Sequence, residues 1–490
     1  MTKLKQINLP KISILCLLLY VFVLPANAKN RPQKIAPIKA PFKMPELICP
    51  VFQDKDFNIK DFGAVEGGKV LNEWNVQKAI DACNTAGGGR VIIPAGKWFS
   101  TPIILKSNVN IHLEEGAELI FTFDKKYFFP DESSLKAGDL SKPISPISGY
   151  KCENIAITGK GILNGNGMGW WPLHPVWWPK NKEAFGNEIF EQAWAGLDKT
   201  SKKHMRPQMF RPLFCKNLLL EDVTFCNSPF WTVNPVGCEN VIIRNIKVKA
   251  KASAEHPDSP NTDGINPESC KNVLIENCQI DTGDDSFAIK SGMDEEGRKR
   301  GMPSENIVIR NCFGRRVAVG SEMSGGVRNV YIHDCVFSDD EHYQLHIKTR
   351  RGRGGIVENV WMENLTLKTP SVQIIRVDME YWTHKVPAPV EPLSERTPKF
   401  RNLHFKNITA LASTSDSAIF INGLAEMPIE NLTFENIRIN SKTGIYCRNA
   451  NNISFKKIEL KSVQSPAAVI KNSEGIVFEK VKLPRKVVLK

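Results

Sequence analysis

The feature that leaves this chain least freedom is a five-residue phrase: a charged or polar residue, then Asn, an apolar residue, any residue, and another apolar one. It reads "ENIAI" at 153, "KNLLL" at 216, "ENVII" at 239, "KNVLI" at 271, "ENIVI" at 305, "RNVYI" at 328, "ENVWM" at 358, "RNLHF" at 401, "ENLTF" at 430 and "NNISF" at 451. Adjacent copies lie as little as 21 to 23 residues apart, and the wider gaps have the character of loop insertions. Each copy carries a short alternating stretch of β-branched residues, which reads as a strand. A unit this small cannot bury its apolar residues alone and does so by stacking on its neighbours, which makes a solenoid. The predicted fold is all-β, a parallel β-helix. A length of 490 residues would ordinarily suggest several domains, but the repeat predicts one continuous β-helix over residues 53–490.

Two further periodicities agree with stacking. Asn217, Asn240, Asn272, Asn306, Asn329, Asn359, Asn402, Asn431 and Asn452 hold the same place in successive copies. Asn tolerates left-handed backbone and its amide can bond coil to coil, so a ladder at a turn is expected. Cys152, Cys215, Cys238 and Cys270 directly precede the phrase, while Cys278, Cys312 and Cys335 follow it at a matching offset. These read as rows of small buried side chains. No CxxC pair or Cys/His spacing supports a zinc site.

The front of the chain differs. Lysines at 3, 5 and 11, the apolar run "ISILCLLLYVFVL" and "ANA" have the form of a secretory signal peptide over residues 1–28. A Pro/Lys-rich leader (29–52) follows, and then "NEWNVQKAIDACNTAGGG", which has helical spacing and a glycine stop. A helix there would cap the open end of the solenoid and protect its edge. An insertion at about 166–208 holds Trp170, Trp171, Trp177, Trp178 and Trp194, readable either as sugar-stacking indoles or as a loop packed down by its own aromatics. Removing Cys16 with the signal leaves 11 of 12 cysteines, an odd number that argues against a disulfide framework. A secreted or periplasmic protein without stable membrane insertion is expected. The formal charge of +13, or +10 once the three signal lysines are removed, would either draw the protein to polyanions outside the cell, such as uronic-acid polysaccharides, rather than to nucleic acid, or serve only solubility.

Residues 261–291 read "NTDGINPESCKNVLIENCQIDTGDDSFAIKS", with 21 residues separating Asp263 from Asp284. In a parallel solenoid a residue one coil later sits about 4.8 Å away along the axis, so this spacing brings Asp263 beside Asp284 and Asp285. Gathered carboxylates repel, which raises at least one pKa and leaves a proton donor beside ionised neighbours. Glycosidic cleavage uses such a split between acid and base. Turn aspartates or a calcium site would produce the same dipeptides.

This run resembles the core motif of the polygalacturonases, family 28 of the glycoside hydrolases. So do "GSEMSGGVRNV" at 320, "RRGRGG" at 350, "NSPFWTVNPVGCENVIIRN" at 227 and the opening "DFGAV" region. The resemblance implies a right-handed parallel β-helix that hydrolyses a pectic poly- or oligosaccharide with inversion and without a metal; no other cofactor and a monomeric state are expected. It implies Asp284 as general acid, Asp263 and Asp285 as the pair that activates water, and Asn261 facing the site.

Two motifs depart from the family. Its Gly-His-Gly is absent from "NCFGRRVAVGSEM", and its Arg-Ile-Lys reads "HIK", with His346 in place of Arg and Lys348 retained as substrate-binding residues. Imidazole cannot reproduce the planar fork by which guanidinium grips a uronate carboxylate. A rhamnogalacturonan-type backbone is therefore expected in preference to plain homogalacturonan. Arg315 and Arg316 either supply carboxylate contacts from a new direction or sit in solvent. The rival readings are a calcium-dependent pectate-lyase-like enzyme and a non-catalytic glycan-binding β-helix.

Overall fold

The computed structural model describes residues 35–129, 143–174, 188, 190–191, 206–250, 259–338, 343–368, 373–383, 389–413, 417–461, 466–482 and 487–489. The signal-peptide segment and most of the aromatic insertion, including Trp177, Trp178 and Trp194, lie outside them. Each strand of one coil pairs in parallel with its counterpart in the next, so that Val241 stands opposite Val273, which stands opposite Ile307 and then Val330. Among the described residues this makes one sheet of 23 strands, a second of eight, and a third of three. The chain winds as a parallel β-helix.

The interior is a column of like residues. Phe405, Phe434, Phe455 and Phe478 stack ring on ring at 4.9, 5.0 and 5.1 Å, close to the interstrand spacing. The predicted asparagine ladder is present. From Asn217 to Asn452 each amide donates to the Asn carbonyl of the preceding coil at 2.9–3.3 Å. All these residues have φ between 55° and 60°, the left-handed region. The eleven described cysteines are free, and Cys152 and Cys215 each offer a backbone N–H to the Sγ of the next cysteine in the row at 3.4 Å.

Helix α1 (Asn75–Thr85) closes the N-terminal end, burying Val76, Ala79, Ile80 and Cys83 in the solenoid core. Residues 35–52 are packed rather than a free leader. Leu47 and Cys49 are buried with Ala156, Leu219, Ile242, Leu274 and Val308, an apolar stripe on the outside of the large sheet. Arg310 ties this strap down by donating to the carbonyls of Ala36 and Pro37, both at 3.1 Å. Trp170 and Trp171 are fully buried, as expected of a loop packed by its own aromatics. No helix among the described residues is long and apolar enough to cross a membrane.

Candidate active site

The eight-stranded sheet carries the candidate site. Along its strands Phe287, Ile289, Val317, Val319, Leu345 and Ile347 enter the core, so the residues between them face outward. Ile265 pairs with Phe287, which makes Asp285, rather than Asp284, the in-register neighbour of Asp263. The two glycines of the motif are required by close approach. A Cβ on Gly264 would lie 2.4 Å from the Ser286 carbonyl oxygen, and one on Gly283 would lie 2.2 Å from that of Ser259. Thr262 Oγ1 pins the segment by accepting from the Gly283 N–H at 3.0 Å and donating to the Ala250 carbonyl at 2.7 Å. Four successive coils thus deliver Asp263, then Asp284 and Asp285, then Arg316, then Lys348.

Arg316 joins the two adjacent carboxylates: its Nη2 donates to Asp284 Oδ1 and its Nε to Asp285 Oδ1, both at 2.9 Å. Lys348 Nζ donates to Asp285 Oδ2, also at 2.9 Å. Burial pushes the Asp285 carboxyl up, but the Lys348 ammonium and Arg316 guanidinium outweigh it and hold the group well below the usual carboxylate range. Asp263 has the opposite fate. Burial, followed by the Asp284 charge, raises it from 3.8 to about 7, although Lys290 Nζ stands 3.5 Å from its Oδ2. Asn266 also donates to that oxygen at 2.9 Å. Asp284 is less buried. Its Oδ1 accepts from Arg316 and from the Asp285 N–H at 2.8 Å, while its Oδ2 receives the Asn261 amide at 3.3 Å.

All six expected residues meet here, but His346 does so in an unexpected form. It is buried between Tyr343 and Tyr381, edge to face at 4.9 and 5.4 Å, and its Nε2 makes no hydrogen bond among the described residues. Burial, with Lys348 and Arg376 alongside, pushes its pKa well below the ordinary value, so the imidazole is neutral. Arg315 and Arg316 are both buried, which excludes the solvated reading. Arg315 Nη1 donates to the Thr282 carbonyl at 2.7 Å.

Sequence reasoning missed Lys290, Glu322, Arg206 and Tyr381. Lys290 donates to Glu322 at 2.9 Å, and its Nζ lies 4.3 Å over the Trp231 ring. Burial opposes ionisation of Glu322, but Lys290 outweighs it and lowers the pKa to about 2. Extending the strand alternation from the inward Phe287 and Ile289 would have placed Lys290 on the outward face. No pattern marked Arg206, whose Nη2 donates to Asn261 Oδ1 at 2.9 Å from the end of the insertion. Tyr381 receives Lys348 Nζ over its ring at 5.1 Å.

A probable polygalacturonase of Vitis vinifera is 32% identical over 326 residues, covering 64% of this chain and 60% of that protein's length. An exo-poly-alpha-D-galacturonosidase of Dickeya chrysanthemi is 26% identical over 455 residues, covering 84% of this chain and 72% of that protein. The crystal structure of a hyperthermoactive exopolygalacturonase from Thermotoga maritima superposes with a TM-score of 0.66 at 30% identity, over 88% of this chain and 94% of that one. Residues 83–457 match the family model of the glycosyl hydrolases family 28. With the matched residues enclosing the whole carboxylate cluster, the chain belongs to glycosyl hydrolases family 28 and is a polygalacturonase-like glycoside hydrolase.

Proposed function

We propose that the protein is an exported hydrolase that cleaves a pectic polysaccharide with inversion, and that the sugar held beside His346 carries no carboxylate. The observation that carries this reading is the pairing of the cations around the three aspartates. Arg316 and Lys348 are committed to Asp284 and Asp285, and Lys290 to Glu322 and Asp263. His346, where the family has Arg, is neutral and shielded by aromatic rings. The cleavage point therefore offers a uronate carboxylate little uncommitted positive charge.

The division of labour follows from the surroundings. Asp285, held ionised, and Asp263, titrating near neutrality, suit a pair that orients and deprotonates water, since a base works best with a pKa near the working pH. Asp284 is the proton donor, with Oδ2 as its less committed oxygen. An inverting mechanism places acid and base about 6.5–9.5 Å apart, leaving room for water between them. Calcium would require six to eight oxygen ligands, whereas these carboxylates are met by guanidinium and ammonium groups.

The test is digestion of homogalacturonan, rhamnogalacturonan and xylogalacturonan oligosaccharides, with and without chelator, followed by identification of the products. Rhamnose-containing chains should be cut with kcat/KM roughly 10–100-fold above homogalacturonan of equal length, the scale of one charged hydrogen bond of ~1.5–3 kcal/mol. New reducing ends of inverted configuration should appear, unaffected by chelator. His346→Arg should move the preference toward homogalacturonan. Unsaturated, ultraviolet-absorbing products lost on chelation would establish a lyase, and binding without products a glycan-binding protein. Homogalacturonan as the fastest substrate would overturn the substrate assignment alone.

A further inference from the structure

Beyond Lys348 lies a second buried charge network that the hydrolytic centre does not use. Asp378 stands in register with Lys348 on one side and Asn422 on the other, and Asn422 with Arg448. Asp378 accepts from Arg376 Nη2 at 2.7 Å and from Asn422 Nδ2 at 2.9 Å. Glu380 is gripped by Arg351 at 3.0 Å and by Arg448, and its N–H donates to Asp378 Oδ1 at 3.0 Å. Arg351 is itself held by both carboxylate oxygens of Glu426.

Everything in this network converges on one short turn. The Glu380 carbonyl accepts from the Thr383 N–H at 2.9 Å, and the Tyr381 N–H donates to the Thr349 carbonyl at 2.9 Å. The turn presents two aromatic residues side by side. Tyr381 packs on Lys348 and His346, and the Trp382 ring centroid is 5.2 Å from that of Tyr381. Trp382 is 76% exposed, and its φ is +69°. Most non-glycine residues of this chain in the left-handed region are Asn, for which the conformation is easy, whereas for a bulky residue it is strained. Trp74, a second tryptophan in this region, rests edge-on against Tyr127. Trp382 is the more exposed of the two, with little burial to repay the strain, and strain maintained by rigid surroundings marks positions kept for function.

We propose that Trp382 is a stacking platform for a pyranose ring of the substrate, on the Lys348 side of the reacting bond. An indole offers a broad apolar face to the axial C–H groups of a sugar, and only an exposed, rigidly held ring can do so without rearrangement. The buried ions from Asp378 to Arg448 are its pedestal. The inference rests on the pectic-hydrolase reading and extends it by one subsite.

Trp382→Gly separates the role in binding from a role in folding, because glycine relieves the backbone strain while removing the ring. On the best pectic oligosaccharide, KM should rise about tenfold with kcat within about twofold, and the melting temperature should stay level or rise. Trp382→Phe should recover most of the lost affinity. An unchanged KM, or a lowered melting temperature with no recovery by Phe, would overturn the platform. Failure of the wild type to cut any pectic substrate would instead overturn the hydrolase reading beneath it.

Discussion

The asparagine corner and the carboxylate cleft are built on the same coils and solve opposite problems. At the corner, from Asn217 to Asn452, one residue recurs in one conformation, and each amide answers the carbonyl of an identical neighbour. The partners are neutral and part-exposed, so losing one rung leaves a group that water can reach. In the cleft Asp263 and Asp285 match, and the residues then change from coil to coil. Asp263, Asp285, Arg316 and Lys348 follow one another coil by coil, each buried and each matched to a partner of opposite charge. The corner therefore spreads its energy over many equal bonds, whereas the cleft concentrates charge where a single deletion leaves an ion buried and unanswered. Repetition marks what the fold needs; its interruption marks what chemistry needs.

The sharpest way to break the symmetry between them is Asp284→Asn. The amide oxygen keeps an acceptor for Arg316 and for the Asp285 N–H, so the fold should be retained, while the transferable proton is lost. Turnover should fall by about 10²–10⁴-fold with substrate binding largely preserved, measured by rate assay and by calorimetric titration of the inactive variant. Near wild-type activity would remove Asp284 from the acid role.

This contrast also explains what could be read beforehand. The corner was legible because Asn217 to Asn452 recur in an unvarying phrase, and the carboxylates because 21 residues nearly equal one coil. The registered spacing of 22, from Ile265 to Phe287, put Asp285 opposite Asp263. A second Asn row through Asn245, Asn277, Asn364, Asn407 and Asn436 was missed because Asp222 and Asp334 interrupt it. The strap over 35–52 has no period of its own, yet its landing site was written in the phrase. The middle position is apolar at Leu219, Ile242, Leu274 and Val308, then polar at His404, Thr433 and Ser454, where the outer face needs no cover. Arg316 stayed ambiguous because two consecutive arginines give no sign of burial, and the aspartates that pair with Arg316 lie a coil away.

Arg316→Ala set against Asn452→Ala measures the comparison directly. Removing the guanidinium leaves Asp284 without its cation and Asp285 with Lys348 alone, and breaking a buried ion pair costs about 3–5 kcal/mol, with the partial exposure of Asp284 keeping the loss near the lower end. Removing the end rung of the ladder forfeits a neutral bond at 3.3 Å and places Ala at φ 58°, together about 1–2 kcal/mol. Denaturant melts of the two variants should differ accordingly. Equal losses would show that the cleft charges are solvated and that the distinction drawn between the two regions is empty.

The smallest expected effect concerns Asp263, whose carboxyl is raised from 3.8 to about 7 by burial and then by Asp284. Below about pH 4 folded and unfolded chains both hold this proton, and above about pH 7 neither does. Between those values only the folded chain holds it, so each step upward in pH lowers wild-type stability through this group, because the unfolded state binds fewer protons there. Asp263→Asn deletes the titration but also leaves Lys290 with Glu322 as its carboxylate partner. The variant's stability relative to wild type should therefore climb from pH 4 to pH 7 by a few kcal/mol and then level off, the lost Lys290 contact displacing the whole curve without changing its slope. Chemical denaturation across that range gives the curve. A difference independent of pH would mean that Asp263 titrates as an ordinary surface carboxylate. The cleft would then lack the near-neutral base that distinguishes it from the uncharged corner of the same coils.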